Sequence, residues 1–337
     1  MTDWLRLIGR SESSLLDLVE VDAACSAGLP GIPWLDTVSD KRRVDEMASS
    51  CARFIERVMP QFRGKDCDYP ASESQFRIQA MITHLQRDLG VRHNPHCRAD
   101  NVVLQPADSF LHGILHGKGG TCGSLPILYA AVGRRLRYPI TLVTARSHLF
   151  CRWRSETEQF NIEASGDGVS FFPDEHYRSE RFAVPLLTVL TCGYLKDLSP
   201  TEEVAELLAQ RGECWMKERE FKEATTSFAW ANEADPGRGQ HMYRTGQAMS
   251  KWDGALRNRV PPGFPKLTIT STDRQFTRMP ENAERAYIRL QVSQELLNNP
   301  DYVRRWWDPL RGAKRPPDLP QTLSIVFNWD RPIRVVT

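Results

Sequence analysis

The sequence lacks the features that would place it in a membrane, outside the cell or on nucleic acid. Its uncharged apolar stretches, 182–195 among them, are all shorter than the roughly 20 residues that a spanning helix needs. The first residues lack the basic start, apolar core and small-residue cleavage site of a secretory signal. Lys+Arg 44 against Asp+Glu 42 gives a net charge of +2, which is too small to attract a polyanion. We therefore expect a cytoplasmic protein with neither a membrane nor a nucleic-acid partner.

The sequence also lacks the cysteine spacing of a metal site. None of its eight cysteines forms a C-x2-C pair, which argues against a zinc ribbon or a thioredoxin motif. His112 and His116 share one helical face but have no third ligand, and His93, His96 and Cys97 have no clear fourth ligand. We therefore expect no metal and no cofactor. Cysteines of a cytosolic chain are seldom paired in disulfides, so most should be small buried hydrophobic residues.

The pattern along the chain divides it into four regions. We expect a helical N-terminal region over 1–100, a core over 101–198, a helical segment over 199–259 and an unassigned α/β region over 260–337. Apolar residues of the first region recur at helical steps of three and four. They are Leu15, Leu18 and Val19; Val44, Met47, Ala48, Cys51, Phe54, Ile55 and Val58; and Ile78, Met81, Ile82, Leu85 and Leu89.

The core changes from helical to alternating patterns. A short helix over Asp108–His116 leads through the glycines of HGKGGTCG into a second apolar helix over Leu125–Leu136. The run Ile140–Trp153 then alternates and is rich in β-branched residues, and Phe160–Ala164 is a short partner for it. The fold class predicted for the core is therefore α+β, with helices packed on an antiparallel sheet.

The segment after the core fits the template of a tetratricopeptide repeat. Large, small and aromatic residues stand at the spacings that this helical hairpin requires. They are Leu208, Gly212, Trp215, Ala224, Phe228, Ala231 and Pro236. A second repeat starts in phase at Gly246, but the prolines of 260–265 interrupt its second helix. One complete repeat cannot bury a solenoid face alone, so it must contact the preceding domain or a partner.

The last region gives weaker patterns. Leu267–Thr272 and Thr322–Phe327 predict strands, and Glu281–Asn298 predicts a helix. Arg304–Arg315 is basic, but it is short and the chain is neutral overall, so a solvated helix end explains it better than a nucleic-acid site.

Cys122 has a setting that the other cysteines lack. It follows two glycines and Thr121, at the start of the apolar helix, where the helix dipole and free backbone N–H groups stabilise a thiolate. The glycines allow a substrate to come close, and the same amides suit an oxyanion. Because Pro126 has no N–H, the helix should begin near Ser124, which leaves Cys122 on the turn.

A thiol nucleophile needs a base, and the base needs an orienting acceptor. His148 lies in the alternating run, on a face predicted to include Leu142, Thr144, Arg146 and Phe150, and Glu163 follows in the next strand. If the hairpin is centred between Ser155 and Glu156, His148 lies directly opposite Glu163. The sequence therefore predicts a Cys122–His148–Glu163 triad.

This order of residues resembles the transglutaminase-like, or papain-like, cysteine fold. More closely, DSFLHGILHGKGGTCGSLPILYAAVGRRL, ARSHLFCRW and FNIEASGDG resemble the SirB-type branch, in which tetratricopeptide-like repeats often follow the core. The resemblance is good over about 105–180 and does not reach 260–337. It implies an α+β core in which Cys122, His148 and Glu163 are the catalytic residues.

The chain departs from that family pattern in its acidic segment. The acid is usually Asp, and here Glu163 is one methylene longer. The Pro-Phe and Gly-Gly that usually follow are replaced by Ala164, Ser165 and 166–168. Asp167 is an alternative acid, although a glycine turn explains it better.

Two functions follow from this pattern. The first is a cysteine acyl-transfer enzyme, either an amide or peptide hydrolase or a transglutaminase, and the retained Cys122 favours it. The second is a non-catalytic regulatory protein on a degenerate scaffold that binds a partner peptide through the repeat, and the frequent loss of the cysteine in the family favours it. Both imply a protein or peptide as substrate or partner.

Overall fold

A computed structural model describes residues 17–32, 36–63, 72–98, 105–178, 193–258, 288–291, 322–328 and 331–336. The fold is α+β, with helices and small antiparallel sheets. The chain forms two compact units, Met1–Gln210 and Arg211–Thr337. Among the described residues, no helix combines the length and the apolar character needed to cross a bilayer.

Three helices open the first unit, as the periodic pattern predicts. Helix α1 (Leu18–Ser26) is buried over most of its residues, and α2 (Thr37–Arg63) and α3 (Glu73–Thr83) each bury one face that is mainly apolar. Asp17 caps α1 by accepting a hydrogen bond from the Val19 amide, and α3 begins with a capping box, which satisfies amides that would otherwise have no partner. The buried positions of α2 are Asp40, Val44, Ala48, Cys51, Ile55 and Met59.

The pattern predicted past Thr83 is helical, but its geometry changes there. Residues His84–Asp88 form a π-helical turn before Gly90, whose φ is +72°. A π turn rotates the following side chains relative to those of an α-helix and is common near functional sites. Gln86 lies in this turn.

The single short helix predicted over Asp108–His116 is wrong. The structure has two, α4 (Pro106–Ser109) and α5 (Leu111–Leu115), with Phe110 extended between them at φ −129° and ψ 163°. At this break, side chains form hydrogen bonds with backbone groups that a continuous helix would pair internally. The Asp108 carbonyl accepts from two side-chain hydroxyls, and the Leu111 amide donates to the Asp22 carboxylate. These bonds replace the ladder of one continuous helix.

Helix α6 (Leu125–Arg135) begins where Pro126 predicts, directly after Ser124. Its residues from Leu125 to Gly133 are all buried, as expected of a helix enclosed by its own domain. It packs on the sheet, where Cys151 Sγ lies 3.1 Å from the Pro126 carbonyl oxygen.

The strand predicted over Ile140–Trp153 is in fact two strands. Strands β1 (Ile140–Ala145) and β2 (His148–Arg154) pair antiparallel, with Ala145 opposite His148. The two-residue turn between them has Ser147 at φ +55°. In a single strand, residues 145 and 148 would point to opposite faces of the sheet. Because the turn pairs them across two strands, their side chains point to the same face. His148 therefore shares a face with Ala145, Val143 and Phe150, and the predicted neighbours Leu142 and Thr144 lie on the other face.

The predicted register of the next hairpin is also wrong, by two residues. Strand β3 (Gln159–Ile162) pairs with β2 so that Cys151 faces Ile162 and Arg154 faces Gln159. The loop is closed from Ser155 to Glu158, which moves the centre of the hairpin one residue along. A shift by two preserves the faces, so His148 and Glu163 still point to the same side, diagonally rather than directly opposite.

After β3 the described chain forms helix α7 (Asp174–Arg178), and then α8 (Pro200–Lys217), α9 (Phe221–Ala234) and α10 (Gly239–Asn258).

In the second unit, β4 (Ile288–Gln291), β5 (Thr322–Asn328) and β6 (Arg331–Val336) form an antiparallel sheet. The strand predicted at Thr322–Phe327 is confirmed. The helix predicted over Glu281–Asn298 is wrong at 288–291, where pairing with β5 overrides a helical pattern. The predicted strand Leu267–Thr272 and the basic stretch Arg304–Arg315 lie outside the described residues.

Candidate active site

Cys122 lies on the turn just before α6. Its side chain is partly exposed, as is that of Cys97, whereas Cys25, Cys51, Cys151 and Cys214 are buried. Burial raises the pKa of Cys51 to about 12 and also raises that of Cys151, which makes these thiols poor nucleophiles.

The Cys122 turn is anchored to residue 108. The hydroxyls of Thr121 and Ser124 both donate to the Asp108 carbonyl oxygen, at 3.0 and 2.8 Å. The Asp108 side chain is buried and accepts a hydrogen bond from Asn94 at 2.8 Å. One residue thus ties the Cys122 turn to the segment around 94, a link that sequence reasoning did not find.

The backbone N–H groups of this turn all donate hydrogen bonds, with one exception. The Thr121 N–H donates to the Ser124 hydroxyl and the Gly123 N–H to the Thr121 hydroxyl. The Ser124 and Leu125 N–H groups both donate to the Thr121 carbonyl. Within the described part of the chain, the Cys122 N–H makes no hydrogen bond. It is therefore the turn's remaining donor for an oxyanion that forms beside the sulfur.

The two glycines before Thr121 let another chain segment approach closely. Gly119 has φ +92°, and a Cβ there would lie 2.9 Å from the Arg92 carbonyl oxygen. Gly120 pairs in parallel with His93: its N–H donates to Arg92, and its carbonyl accepts from the Asn94 amide. The glycines thus hold His93 next to the Cys122 turn, in addition to the access that the sequence suggested.

The structure brings the three predicted site residues to one cavity. Its volume is about 440 Å³. Cys122, His148 and Glu163 all line it, together with His93, Ser165, Gly166, Asp167, Gly168, Ser170, Phe172 and His176. His148 and Glu163 are mostly buried, with side chains 9% and 16% exposed. The turn before α6, the start of β2 and the residue after β3 therefore present a thiol, an imidazole and a carboxylate to the same space.

His148 is hydrogen-bonded to both partners. Its Nε2 atom lies 2.6 Å from Glu163 Oε2, and its ring also makes a hydrogen bond with the Cys122 side chain. Burial disfavours the charged ring, but the hydrogen bonds with Cys122 and Glu163 outweigh it and raise the pKa of His148 to about 9. Because Nε2 is used by Glu163, Nδ1 is the ring nitrogen left to exchange a proton with the thiol.

Glu163 is held as a charged acceptor. Burial alone would raise its pKa, but hydrogen bonds from His148 and from the amide and hydroxyl of Ser165 lower the pKa below its ordinary value. Its backbone pairs with Ser170 on the far side of the glycine turn. Asp167, the alternative acid, lies on the exposed tip of that turn, whereas Glu163 makes the bond to the imidazole.

Gln86 is a site-supporting residue that sequence reasoning missed. Its amide nitrogen donates to the carbonyls of Gly166 and Gly168, at 3.1 and 3.3 Å, and its oxygen accepts from the Gly168 amide at 2.7 Å. It also contacts the hydroxyl of Tyr129, which donates to the Ala164 carbonyl. The π turn directs Gln86 to these groups, and no periodic pattern distinguishes it from a surface glutamine.

The pair His112 and His116, which the sequence offered as a weak metal candidate, forms a contact between its two rings. The rings of His112 and His116 have their centroids 4.2 Å apart and their planes tilted by 40°. Among the described residues, no group of three or more His, Cys, Asp or Glu side chains is arranged to hold a metal ion.

Comparison with known families agrees with this geometry. Residues 41–208 match the family described as the transglutaminase-like superfamily. This part of the chain is therefore a transglutaminase-like superfamily domain, and the match contains Cys122, His148 and Glu163. No curated protein matches the chain.

Proposed function

We propose that the transglutaminase-like domain over 41–208 is a cysteine acyl-transfer enzyme of the SirB-type branch. Cys122 is the nucleophile, His148 carries the proton and Glu163 orients the imidazole. One observation carries the proposal: the His148 ring is hydrogen-bonded at once to a thiol and to a buried carboxylate. The superfamily includes cysteine-triad enzymes as well as degenerate forms, and this chain retains all three groups.

In the acylation step, the Cys122 proton passes to Nδ1 of His148 and the sulfur attacks the carbonyl carbon of an amide or peptide. The C=O electron pair moves to oxygen, and the Cys122 N–H donates to that oxyanion. Collapse of the intermediate breaks the C–N bond, and the imidazolium gives its proton to the departing nitrogen. The products are a free amine and a thioester on Cys122.

Glu163 supports this cycle through charge and orientation. Its carboxylate stabilises the imidazolium that forms at each proton transfer, and its hydrogen bond to Nε2 keeps Nδ1 towards the sulfur. In the second step, neutral His148 takes a proton from water or an amine as this acceptor attacks the thioester. The chemistry is hydrolysis with water and transamidation with an amine.

Alkylation by iodoacetamide tests the proposal. The thiolate is the reactive form, and a neighbouring imidazolium stabilises it, so we expect Cys122 to react at mildly acidic pH at least about tenfold faster than Cys97. Cys97 is the internal control because its side chain is also partly exposed. Peptide mass spectrometry reads each thiol separately.

The variant His148→Ala should remove this advantage without changing the rate at Cys97. Equal rates at Cys122 and Cys97, or a Cys122 rate that does not depend on His148, would show that the thiol is not activated. The degenerate, non-catalytic alternative would then be favoured.

We also propose that the helices after the core form a tetratricopeptide-like repeat that binds a protein or peptide partner. The supporting observation is the packing of α8 on α9: a Cβ at Gly212 would lie 2.6 Å from the Phe228 ring, and Ala224 and Ala231 are fully buried. A small residue facing an aromatic one at this spacing is the pattern of the repeat.

Gly212→Ala tests this packing against Gly239→Ala, where a Cβ would meet nothing within 4 Å. We expect only the first to lower the unfolding temperature, because the Phe228 ring must move. An equal effect of both would contradict the proposed close contact. If partner binding rather than catalysis is the activity, Cys122→Ser should leave the affinity for a bound peptide unchanged.

A further inference from the structure

The cavity contains an imidazole that the proposed triad does not use. His93 lines the same space as Cys122 and His148, and both ring nitrogens of His148 already have assigned partners. His93 is therefore available to act on something other than the thiol.

His93 is held in place by the same residue that anchors the nucleophile. Its backbone is paired with Gly120, two residues before Cys122. The next residue, Asn94, is buried, and its amide nitrogen donates to the Asp108 carboxylate at 2.8 Å. The Asp108 carbonyl binds the two hydroxyls of the Cys122 turn. Groups fixed to one anchor keep a constant separation, as catalysis requires.

The orientation of the ring determines which hydrogen bond it can make. Nδ1 of His93 lies 2.9 Å from the Asn94 carbonyl oxygen. A carbonyl only accepts, so Nδ1 carries the proton, and Nε2 of the neutral ring offers a lone pair. Within the described residues, Nε2 of His93 makes no hydrogen bond. The cavity thus contains a hydrogen-bond acceptor fixed relative to the sulfur.

From this we infer that His93 binds the acyl acceptor in the thioester-breaking step. The acceptor gives one proton to Nδ1 of His148 and donates a second N–H or O–H to Nε2 of His93. The attacking atom must therefore carry two hydrogens, as water and primary amines do and as alcohols and secondary amines do not. The inference rests on the proposed roles of Cys122 and His148.

The step balances without any further reagent. The acceptor's lone pair forms the new bond to the acyl carbon, and its proton passes to His148. The C–S bond breaks, and the sulfur leaves as a thiolate beside the imidazolium. His93 exchanges no proton, and its hydrogen bond positions the acceptor and stabilises the charge that develops on it.

The experiment measures acylation and deacylation separately. A small p-nitrophenyl ester acylates Cys122, so the nitrophenolate burst reports acylation and the later steady rate reports deacylation. Intact-mass spectrometry counts the acyl-enzyme. The acceptors are water, O-methylhydroxylamine with two N–H bonds, and N,O-dimethylhydroxylamine with one. Both amines are uncharged at neutral pH, and reaction of the same acyl group on a free thiol in solution corrects for their intrinsic reactivity.

Three variants share this assay. We expect His93→Phe to keep the burst rate within about twofold and to slow deacylation by water and by O-methylhydroxylamine about tenfold, which corresponds to about 1.4 kcal/mol. Its reaction with N,O-dimethylhydroxylamine should not change. His93→Gln restores an acceptor and should recover most of the rate. His96→Phe is the matched control, because His96 is exposed and does not line the cavity.

Three results would overturn the inference while leaving the triad intact. The first is an equal deacylation rate in His93→Phe and the native protein. The second is a deacylation rate of His93→Phe that falls equally with all three acceptors. The third is a burst rate of His93→Phe that falls as much as its steady rate. If His93→Phe does not fold, the native acyl-enzyme supplies the test. Its rate ratio for O-methylhydroxylamine over N,O-dimethylhydroxylamine must exceed the same ratio for the thioester in solution. A native protein that releases no nitrophenolate and forms no acyl-enzyme, or a burst that persists in Cys122→Ala, refutes the proposed function itself and this inference with it.

Discussion

The Nε2 atom of His148 lies 2.6 Å from Glu163 Oε2, although the β2–β3 register does not place the two residues directly opposite each other. The contact is diagonal across neighbouring strands, and the long glutamate side chain spans it. The second carboxylate oxygen of Glu163 is taken by Ser165. The acid is therefore oriented from both sides.

Replacement of Glu163 by Gln should slow acylation of Cys122 by about 100-fold. The amide has the same size but no charge to stabilise the imidazolium, and its NH₂ group can turn towards the ring. Glu163→Asp keeps the charge but shortens the reach, so its rate should lie between those of the native protein and Glu163→Gln. The nitrophenolate burst measures the acylation rate of the native protein and of both variants. A native rate in Glu163→Gln would show that the carboxylate has no part in the reaction.

The stability contributed by His148 should depend on pH. Its folded-state pKa is raised from 6.5 to about 9, so its contribution is full below pH 6.5 and is lost as the pH rises through 9. The shift corresponds to about 3–4 kcal/mol as an upper bound. Urea unfolding at pH values on both sides of this window should show the difference between the native protein and His148→Gln shrinking as pH rises. A difference that stays constant would mean that the histidine is not held as an imidazolium.

Loss of the Gln86 clamp should impair the site through Glu163. In Gln86→Ala, the amide of Gly168 and the carbonyls of Gly166 and Gly168 lose their partner, which should cost about 1–2 kcal/mol of unfolding free energy. The looser turn should also lower the burst rate and lower the His148 pKa seen in its pH profile. Arg87→Ala is the control, because Arg87 is largely exposed and pairs with Asp88. A pH profile unchanged from the native one would limit Gln86 to a purely structural role.

Two glycines of one motif should differ in their tolerance to alanine. Gly117 and Gly119 both have positive φ, at +79° and +92°, so each substitution costs about 1–2 kcal/mol of backbone strain. At Gly117 a Cβ meets nothing within 4 Å, whereas at Gly119 it meets the backbone of Arg92 and Asn94 at 2.9 Å. Gly119→Ala should therefore destabilise the protein more and should also reduce Cys122 alkylation, because the turn must shift. Denaturant midpoints of the two variants compare them directly, and equal midpoints would contradict the close approach.

Several local features were predictable because nearby residues determine them. Pro126 sets the start of α6 by lacking an N–H, and the apolar spacing of α2 defines its buried face. The order of a helix-start cysteine, a strand histidine and a following acid was enough to choose Cys122, His148 and Glu163, which the structure places at one cavity. The match of 41–208 to the transglutaminase-like superfamily agrees with the resemblance that those residues carry.

Other features arise from contacts between distant parts of the chain. The turn at Arg146–Ser147 contains neither glycine nor proline, so the run from Ile140 to Trp153 resembles one strand in the sequence. The hydrogen bonds of Asp108 and Gln86, and those of Arg92 and Asn94 that pair the His93 segment with Gly120, join segments that are far apart in sequence and leave no local signature.

The sequence by itself determined which residues are candidates for the chemistry and which local element carries each of them, because helix starts, strand faces and glycine turns depend on near neighbours. Only the tertiary structure decided that the imidazole reaches both the thiol and the carboxylate, that the Cys122 N–H has no hydrogen-bond partner among the described residues and that His93 lines the same cavity. Those outcomes depend on register and on long-range hydrogen bonds, whose geometry is fixed only when the segments pack together.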